Sequence, residues 1–277
     1  MRYQLTLTVL RYLGSAALTA VAFAVLYFVF VRTHGGQLID QLAYDGADFG
    51  QRKVAPFANA LLDVLPAVAG VLGLVVTAAI TIARRNWATA VVALGAAGAS
   101  ALTTQLLKLV FLDRPDLNVE GYAANSFPSG HTTVAAAAAL AVFLVASPAA
   151  RPHVARWGAA FMILAGLSTL ANGWHRPSDA IAALLVVAFW GCIAGAVITV
   201  LRRGDVAVPA RRGATGRWWI VVPIAGVTAL SFLITYLGSR SGYSTPGVIA
   251  YVGGAAAIVG AGVVLALLAT RTFARLP

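Results

Sequence analysis

The segment Asn125–Ala139, NSFPSGHTTVAAAAA, joins a short polar turn to a run of alanines that predicts a helix. Pro128 suits the first position of a helix, where a missing N–H does no harm. The backbone N–H groups that follow have no helical partner, and the helix dipole adds positive potential there. Such a helix start binds anions, especially phosphate, and Gly130 lets an oxyanion approach the backbone closely. Alone, the turn is also consistent with an ordinary cap that carries a polar His131.

The composition is that of a membrane protein. Sixty per cent of the 277 residues are hydrophobic, 10% are charged, and the mean hydropathy is +0.84. Crossing a bilayer takes about 20 apolar residues. Eight apolar runs come close to or exceed this length, at about 10–31, 60–83, 88–112, 129–147, 158–174, 178–201, 218–238 and 247–270. We therefore predict an all-α polytopic helical bundle with eight transmembrane helices, the first of them retained because no small-x-small cleavage site follows it.

The distribution of positive charge predicts how the bundle is oriented. Arginines cluster in the short connections at Arg84/Arg85, Arg151/Arg156, 202–217 and Arg271/Arg275. Excess positive charge in short loops marks the cytoplasmic side. With the N-terminus inside, the alternation places all these loops inside and eight of the nine acidic residues outside, all but Asp205. We attribute the net charge of +11 to orientation and lipid headgroups rather than to nucleic acid. A multi-pass protein of the plasma (inner) membrane with both termini cytoplasmic is expected.

Unusual polar residues converge at the predicted outer face. They are Lys108 and Arg114 at the end of the third run, Ser129, Gly130 and His131 at the start of the fourth, and His175, Arg176 and Asp179 between the fifth and sixth. A charge near the bilayer costs about 2.5–3.5 kcal/mol on insertion scales, so such residues usually pair or serve a site. Each cluster alone has a simpler interpretation, such as a snorkelling Lys108 or a helix cap. Their common depth in the membrane favours one site.

The spacing of His175 and Asp179 indicates an oriented nucleophile. Residues four apart share a helix face, and Pro177 opens the sixth run between them. A carboxylate bonded to one imidazole nitrogen fixes the tautomer and leaves the other nitrogen free to attack.

Together these clusters resemble the type 2 phosphatidic acid phosphatase superfamily, membrane lipid phosphatases related to vanadium haloperoxidases. The family pattern is Lys-x6-Arg-Pro, then Pro-Ser-Gly-His, then Ser-Arg-x5-His-x3-Asp. The second part is complete at 128–131, and the third ends in His175 and Asp179. In the first part Arg114 follows Lys108 one residue too early, and in the third Thr169 replaces the arginine.

The resemblance implies a reaction through a phosphohistidine. His175, oriented by Asp179, attacks phosphorus, and His131 protonates the leaving oxygen. The residues implied to hold the phosphoryl oxygens are Lys108, Arg114, Ser129 and Gly130, with Arg176 a candidate for the missing positive charge. No metal and no cofactor are implied. The implied substrate is a membrane lipid phosphate or diphosphate at the outer face: polyprenyl diphosphate, phosphatidic acid or phosphatidylglycerol phosphate.

Two other functions stay open. A phosphotransferase would use the same phosphohistidine with an acceptor other than water. A lipid-binding or transport homologue would have kept the fold and lost activity, and Thr169 is the main argument for it. The oligomeric state is not predicted.

We divide the chain into three parts. Residues 1–59 hold the first helix and an outer amphipathic loop, 60–203 the catalytic core with five further helices, and 204–277 a basic cytoplasmic loop and a C-terminal helix pair without an assigned function. The first six helices are the core that the resemblance implies. The loop's Asp40, Asp45 and Asp48 are interpreted as a solvated face, with a carboxylate metal site as the weaker alternative. Two more histidines, His34 and His153, are expected to be solvated, and the single Cys192 supports neither a disulfide nor a metal cluster.

Overall fold

The computed structural model describes residues 2–47, 68–121, 125–202, 218–240, 247–274 and 276, with side chains from residue 5 onward. In these ranges the backbone is helical and contains no strand, which confirms the predicted all-α class. The helices are α1 (Arg2–Arg32), α2 (His34–Asp45), α3 (Val68–Arg84), α4 (Trp87–Leu106), α5 (Gly130–Val145), α6 (Arg151–Ala171), α7 (Pro177–Leu201), α8 (Val221–Arg240) and α9 (Gly247–Thr272). A π-helical turn, Leu107–Phe111, extends α4, and a 3-10 turn, Trp218–Ile220, precedes α8.

Each of the eight predicted apolar runs overlaps a helix of the described residues, and residues 60–67 of the second run lie outside them. Six of the described helices are long and apolar enough to cross a membrane: α1, α4 with its π turn, α6, α7, α8 and α9. The apolar α3 and α5 are shorter. With 16 residues, α5 is about 24 Å long, less than the roughly 30 Å of a hydrocarbon core. Its N-cap, Ser129, is fully buried, so α5 begins inside the bundle.

Helix α7 is the central element of the bundle. It packs against α1, α4, α5, α6 and α9. Small side chains at Ala180, Ala182 and Ala183 are fully buried and let these neighbours approach closely. The first turn of α7 carries Asp179, so the same packing that fixes the helix also fixes this carboxylate.

The prediction for the loop after α1 was partly wrong. A short amphipathic helix is present as α2, but Asp40 is 1% exposed rather than solvated. Its carboxylate accepts hydrogen bonds from the Ser178 N–H at 3.0 Å and the Ser178 hydroxyl at 2.6 Å. The alternation of polar residues shows that one face of α2 is polar, but not that this face meets polar groups of the bundle. Asp45 is exposed as predicted, and Asp48 lies outside the described residues.

The C-terminal helix pair is part of the bundle rather than an appendage. Besides α8, helix α9 packs against α2, α6 and α7. It therefore reaches both the helix that carries Asp40 and the helix that carries Asp179.

Candidate active site

The structure brings the three polar clusters together at one end of the bundle. The ring centroids of His131 and His175 are 6.1 Å apart. Asp179 Oδ2 lies 3.2 Å from His175 Nδ1, and Asp179 Oδ1 lies 3.5 Å from Arg114 Nη2. These side chains come from the start of α5, the turn between α6 and α7, and the segment after α4. Groups from all three clusters therefore lie close together around Asp179.

His175 is held in place by its neighbours on both sides. Its backbone N–H donates to the carbonyl of Thr169 at 3.1 Å, and its Nδ1 pairs with Asp179. The residue is 7% exposed, and Nε2 is the nitrogen that this pairing leaves for a reaction partner. His131 is exposed, and the ring of Trp174 lies against it at 5.1 Å between centroids.

Asp179 is the hub of the polar network. It is fully buried at the third position of α7. Its Oδ2 accepts hydrogen bonds from the Arg176 N–H at 3.1 Å and from the Ser126 hydroxyl. Its own backbone carbonyl accepts the N–H of Ser129 at 2.9 Å, which ties α7 to the start of α5.

The shortened spacing between Lys108 and Arg114 is absorbed by irregular backbone. In the π turn the Leu112 N–H donates to the Leu107 carbonyl at 2.9 Å, five residues back, and the chain is extended at Leu112. Arg114 is thereby carried back into the bundle, where it is 5% exposed. Asn125 donates from its side-chain amide to the Lys108 carbonyl at 3.2 Å and so fixes this region. Lys108 itself is half-buried and lies within the electrostatic reach of Asp179.

The start of α5 differs in detail from the anion site that the sequence predicts. Ser129 Oγ accepts a hydrogen bond from the Thr132 N–H at 3.3 Å. The hydroxyl still has its proton to donate to an anion. Gly130 lies beside Gln105, since a Cβ there would be 3.5 Å from Gln105 Nε2. Gln105 belongs to none of the three polar clusters predicted from the sequence. The signal available in the sequence is its position three residues, or one helical turn, before Lys108.

Arg176 carries a buried guanidinium and follows His175 in the chain. Its Nε donates to Gln41 Oε1 at 2.9 Å, its Nη1 donates to Ser126 Oγ at 3.2 Å, and its Cζ lies 5.4 Å from the centroid of the Tyr44 ring. Burial, together with the positive charge of Arg114, lowers the pKa of Arg176. Arginine nevertheless stays charged in proteins. The residue is 3% exposed, so its orientation is determined by these partners.

Thr169, which stands in place of the family's arginine, has a structural part in the turn. It is 3% exposed, and its hydroxyl donates to the Gly166 carbonyl at 2.8 Å. Its carbonyl accepts the N–H groups of Trp174 at 3.0 Å and His175 at 3.1 Å. Thr169 therefore holds the backbone of the turn that carries His175 and brings no charge to it.

Arg114 lies between two buried carboxylates, Asp40 at 3.7 Å and Asp179 at 3.5 Å. Burial raises the pKa of Asp40 from 3.8 to about 6, and the negative charge of Asp179 adds to the effect. A carboxyl group with a raised pKa stabilises the fold most when protonated, so this stability is lost as the pH rises through the folded pKa.

We expect wild type to lose stability relative to Asp40→Asn as the pH rises from about 4 to above 6. The shift of roughly two pKa units corresponds to about 3 kcal/mol of unfolding free energy. The measurement is the apparent Tm of both proteins in detergent between pH 4 and 8. Asp116→Asn, which changes an exposed carboxylate, is the control and should track wild type. A wild-type Tm that rises relative to Asp40→Asn over this range would contradict the assignment.

Among the described residues, no group of three His, Cys, Asp or Glu side chains is placed to hold a metal ion. The cations of the site are instead Lys108, Arg114 and Arg176. His34 and His153 are exposed, and Cys192 is buried away from these groups in the interior of α7.

Comparison with known families bears on this geometry. Residues 89–203 match the PAP2 superfamily. The match confirms the resemblance predicted from the three motifs, over the segment that contains them. The PAP2 segment extends from α4 to the end of α7 and contains His131 and His175, whereas α1, α2, α3, α8 and α9 lie outside it. No curated protein and no solved structure gives a significant match to the chain.

Proposed function

We propose that the protein is an integral membrane phosphatase that hydrolyses a lipid phosphate or diphosphate through a phosphohistidine. The observation that carries this proposal is the pairing of two imidazoles 6.1 Å apart, of which one, His175, is oriented by a buried carboxylate. One nucleophile and one proton donor on opposite sides of a phosphorus atom are what such a reaction needs. The PAP2 segment supplies both histidines.

The proposed reaction has two steps. His175 Nε2 attacks phosphorus, the bond from phosphorus to the leaving oxygen breaks, and His131 gives that oxygen a proton. A water molecule then attacks the phosphohistidine and loses a proton to His131, and the P–N bond breaks. Phosphate leaves, and both imidazoles return to their starting states. Asp179 stabilises the positive charge that His175 develops during the first step.

The phosphoryl oxygens are held by fixed positive charge in this proposal. Lys108, Arg114, the Ser129 hydroxyl and the Gly130 N–H would share this role, as the family resemblance implies. Arg176 is proposed as the second guanidinium, because it lies beside the nucleophile and Thr169 offers none. Preorganised donors of this kind stabilise the charge redistributed in a phosphoryl-transfer transition state.

The membrane environment limits the substrate to a phosphate whose hydrocarbon chains stay in lipid. Polyprenyl diphosphate, phosphatidic acid and phosphatidylglycerol phosphate are the candidates. We place the site at the outer face of the plasma membrane, with both termini cytoplasmic. The arginines of the short connections support this orientation, since Arg84 donates to the Val145 carbonyl at 2.6 Å, at the end of α5 away from the site.

The test of the proposal is phosphate release by the purified full-length protein from micelles of each of the three lipids. His175→Ala is the inactive comparison. The matched control is His153→Ala, which removes an exposed histidine from the first turn of α6, at the end away from the site. Release that is equal in wild type and His175→Ala would exclude the proposed function.

Substitution of Thr169 by arginine separates a working enzyme from a weak homologue. We expect Thr169→Arg to lower phosphate release by at least about tenfold, since a buried arginine must displace the turn that holds His175. Ser168→Arg, one residue earlier and more exposed, should have little effect. The measurement is the initial rate of phosphate release by the three proteins from the lipid that wild type hydrolyses fastest. Higher release by Thr169→Arg would favour the lipid-binding homologue and remove the role proposed for Arg176.

A further inference from the structure

Helix α2 contacts the nucleophile turn, residues 173–178, at three points. The Tyr44 hydroxyl donates to the carbonyl of Gly173, Gln41 Oε1 accepts from Arg176, and Asp40 accepts twice from Ser178. These bonds fall on both sides of His175. Asp40, Gln41 and Tyr44 share one face of α2, since residues three and four apart on a helix are neighbours. The turn is therefore bound to α2 before and after its histidine.

Helix α9 in turn holds α2 against this turn. The backbones of Gly46 and Gly247 are so close that a Cβ on Gly46 would overlap the Gly247 carbonyl. About two helical turns further along α9, a Cβ on Gly254 would lie 2.5 Å from Pro177 Cγ and 3.2 Å from Ala43 Cβ. Gly254 thus contacts α2 and the first residue of α7 at the same time. Pro177 is two residues from both His175 and Asp179.

We infer that α2 and α9 form a brace, made of Asp40, Gln41, Tyr44, Gly247 and Gly254, that positions the His175–Asp179 turn for attack on phosphorus. The brace lies outside the PAP2 segment and rests on the function proposed above. It gives α9, the second helix of the C-terminal pair, a role in the reaction. It also supplies the contacts that orient Arg176, the guanidinium proposed to replace the one missing at Thr169.

A brace matters because phosphoryl transfer tolerates only a small displacement of the groups that carry it out. Catalytic groups must stay within about 0.5 Å of their productive positions, and a shift of about 1 Å can lower a rate on the order of 100-fold. The nucleophile turn is a short connection between α6 and α7 with a positive φ at Gly173. Contacts from α2 and α9 determine where such a turn sits, because each side of it bonds to α2.

The decisive variant is Gly254→Ala, which adds one methyl group against Pro177. We expect kcat for the best lipid substrate to fall about 10- to 100-fold with KM changed less than about twofold, because the phosphate-holding groups outside the turn remain. Gly260→Ala is the matched control. It makes the same change on the same helix, but among the described residues its Cβ meets only the side chain of Ile224 on α8, at 3.1 Å. Its kcat should stay within about twofold of wild type.

A rescue experiment separates positioning from general damage. Pro177→Ala removes the Cγ atom that the new methyl group meets, so kcat of Gly254→Ala/Pro177→Ala should recover to within about threefold of Pro177→Ala alone. A double variant as slow as Gly254→Ala, or a Gly254→Ala as fast as Gly260→Ala, would overturn the brace.

A readout without catalysis keeps the brace testable if no lipid phosphate is hydrolysed. The rate at which diethyl pyrocarbonate modifies His175 is measured by mass spectrometry of the purified protein. It should rise at least about threefold in Gly254→Ala and stay at the wild-type rate in Gly260→Ala. Equal rates in all three proteins would overturn the brace. A raised rate in a protein that hydrolyses none of the lipids would uphold the brace and reject the proposed function.

Discussion

Alanine at His175 should abolish phosphate release, with kcat lowered on the order of 10³-fold or more. The side chain is the proposed nucleophile, and removing a nucleophile leaves only the contributions of binding and charge stabilisation. The imidazole is 7% exposed and pairs with Asp179, so the variant also leaves that buried carboxylate without its histidine partner. His175→Asn keeps a polar group near Asp179 and should be equally inactive. Initial rates of phosphate release, measured with apparent Tm values, separate loss of chemistry from loss of folding.

The same variants decide whether the intermediate exists. Wild type incubated with a labelled lipid phosphate and quenched in base should carry label on His175, because phosphohistidine survives base and is lost in acid. His175→Asn should carry none, and His153→Ala should be labelled like wild type. Label that is discharged only when an alcohol acceptor is added would identify a phosphotransferase rather than a phosphatase. Full label on His175→Asn would reject this residue as the nucleophile.

The meeting of the three clusters could be predicted because each lies where an apolar run begins or ends. Alternating directions bring the end of α4, the start of α5 and the turn before α7 to one side of the bundle. No long-range information is needed for that inference. Even the short spacing before Arg114 was compatible with it, since the segment after α4 has no helical register to keep.

Contacts between the clusters and the rest of the chain could not be predicted in this way. Asp40 meets Ser178, 138 positions away, and Gln41 meets Arg176, 135 positions away. Hydrophobic periodicity says which face of α2 is polar, but the identity of the facing groups depends on how helices pack. The same periodicity in α2 is therefore compatible with a polar face that is solvent-exposed and with one that is buried.

The location of the positive charge that could replace the missing arginine could not be predicted either. The sequence shows that Thr169 carries no charge and that Arg176 follows His175. It does not show where the Arg176 guanidinium lies, because the direction of a long side chain in a turn depends on its partners. Those partners, Gln41 and Tyr44, lie on a helix that the family motifs do not include. Likewise, the sequence signal for the close approach of α9 at Gly254 is the glycine itself. It cannot be told apart in the sequence from the other glycines, since the chain has 27.

Substitution of His131 by asparagine should slow the enzyme by an amount that depends on the leaving group. A proton donor in the transition state contributes typically 10²- to 10⁴-fold. The glycerol oxygen of phosphatidic acid leaves as a strongly basic alkoxide unless it is protonated, so kcat/KM for this lipid should fall on the order of 10³-fold. The leaving group of a polyprenyl diphosphate is a phosphate, whose second pKa is about 6. It departs without help, and the fall should be about tenfold or less.

A ratio of the two losses tests the role of His131 within one protein preparation. Damage to folding or to phosphate binding lowers both rates by similar factors, whereas loss of a proton donor lowers only the rate with the basic leaving group. Trp174→Phe is the control for the ring that lies against His131 at 5.1 Å, since it keeps an aromatic face and leaves the imidazole in place. It should change both rates alike. Equal losses for the two lipids in His131→Asn would mean that this histidine holds the phosphate and that the leaving oxygen takes its proton from another group.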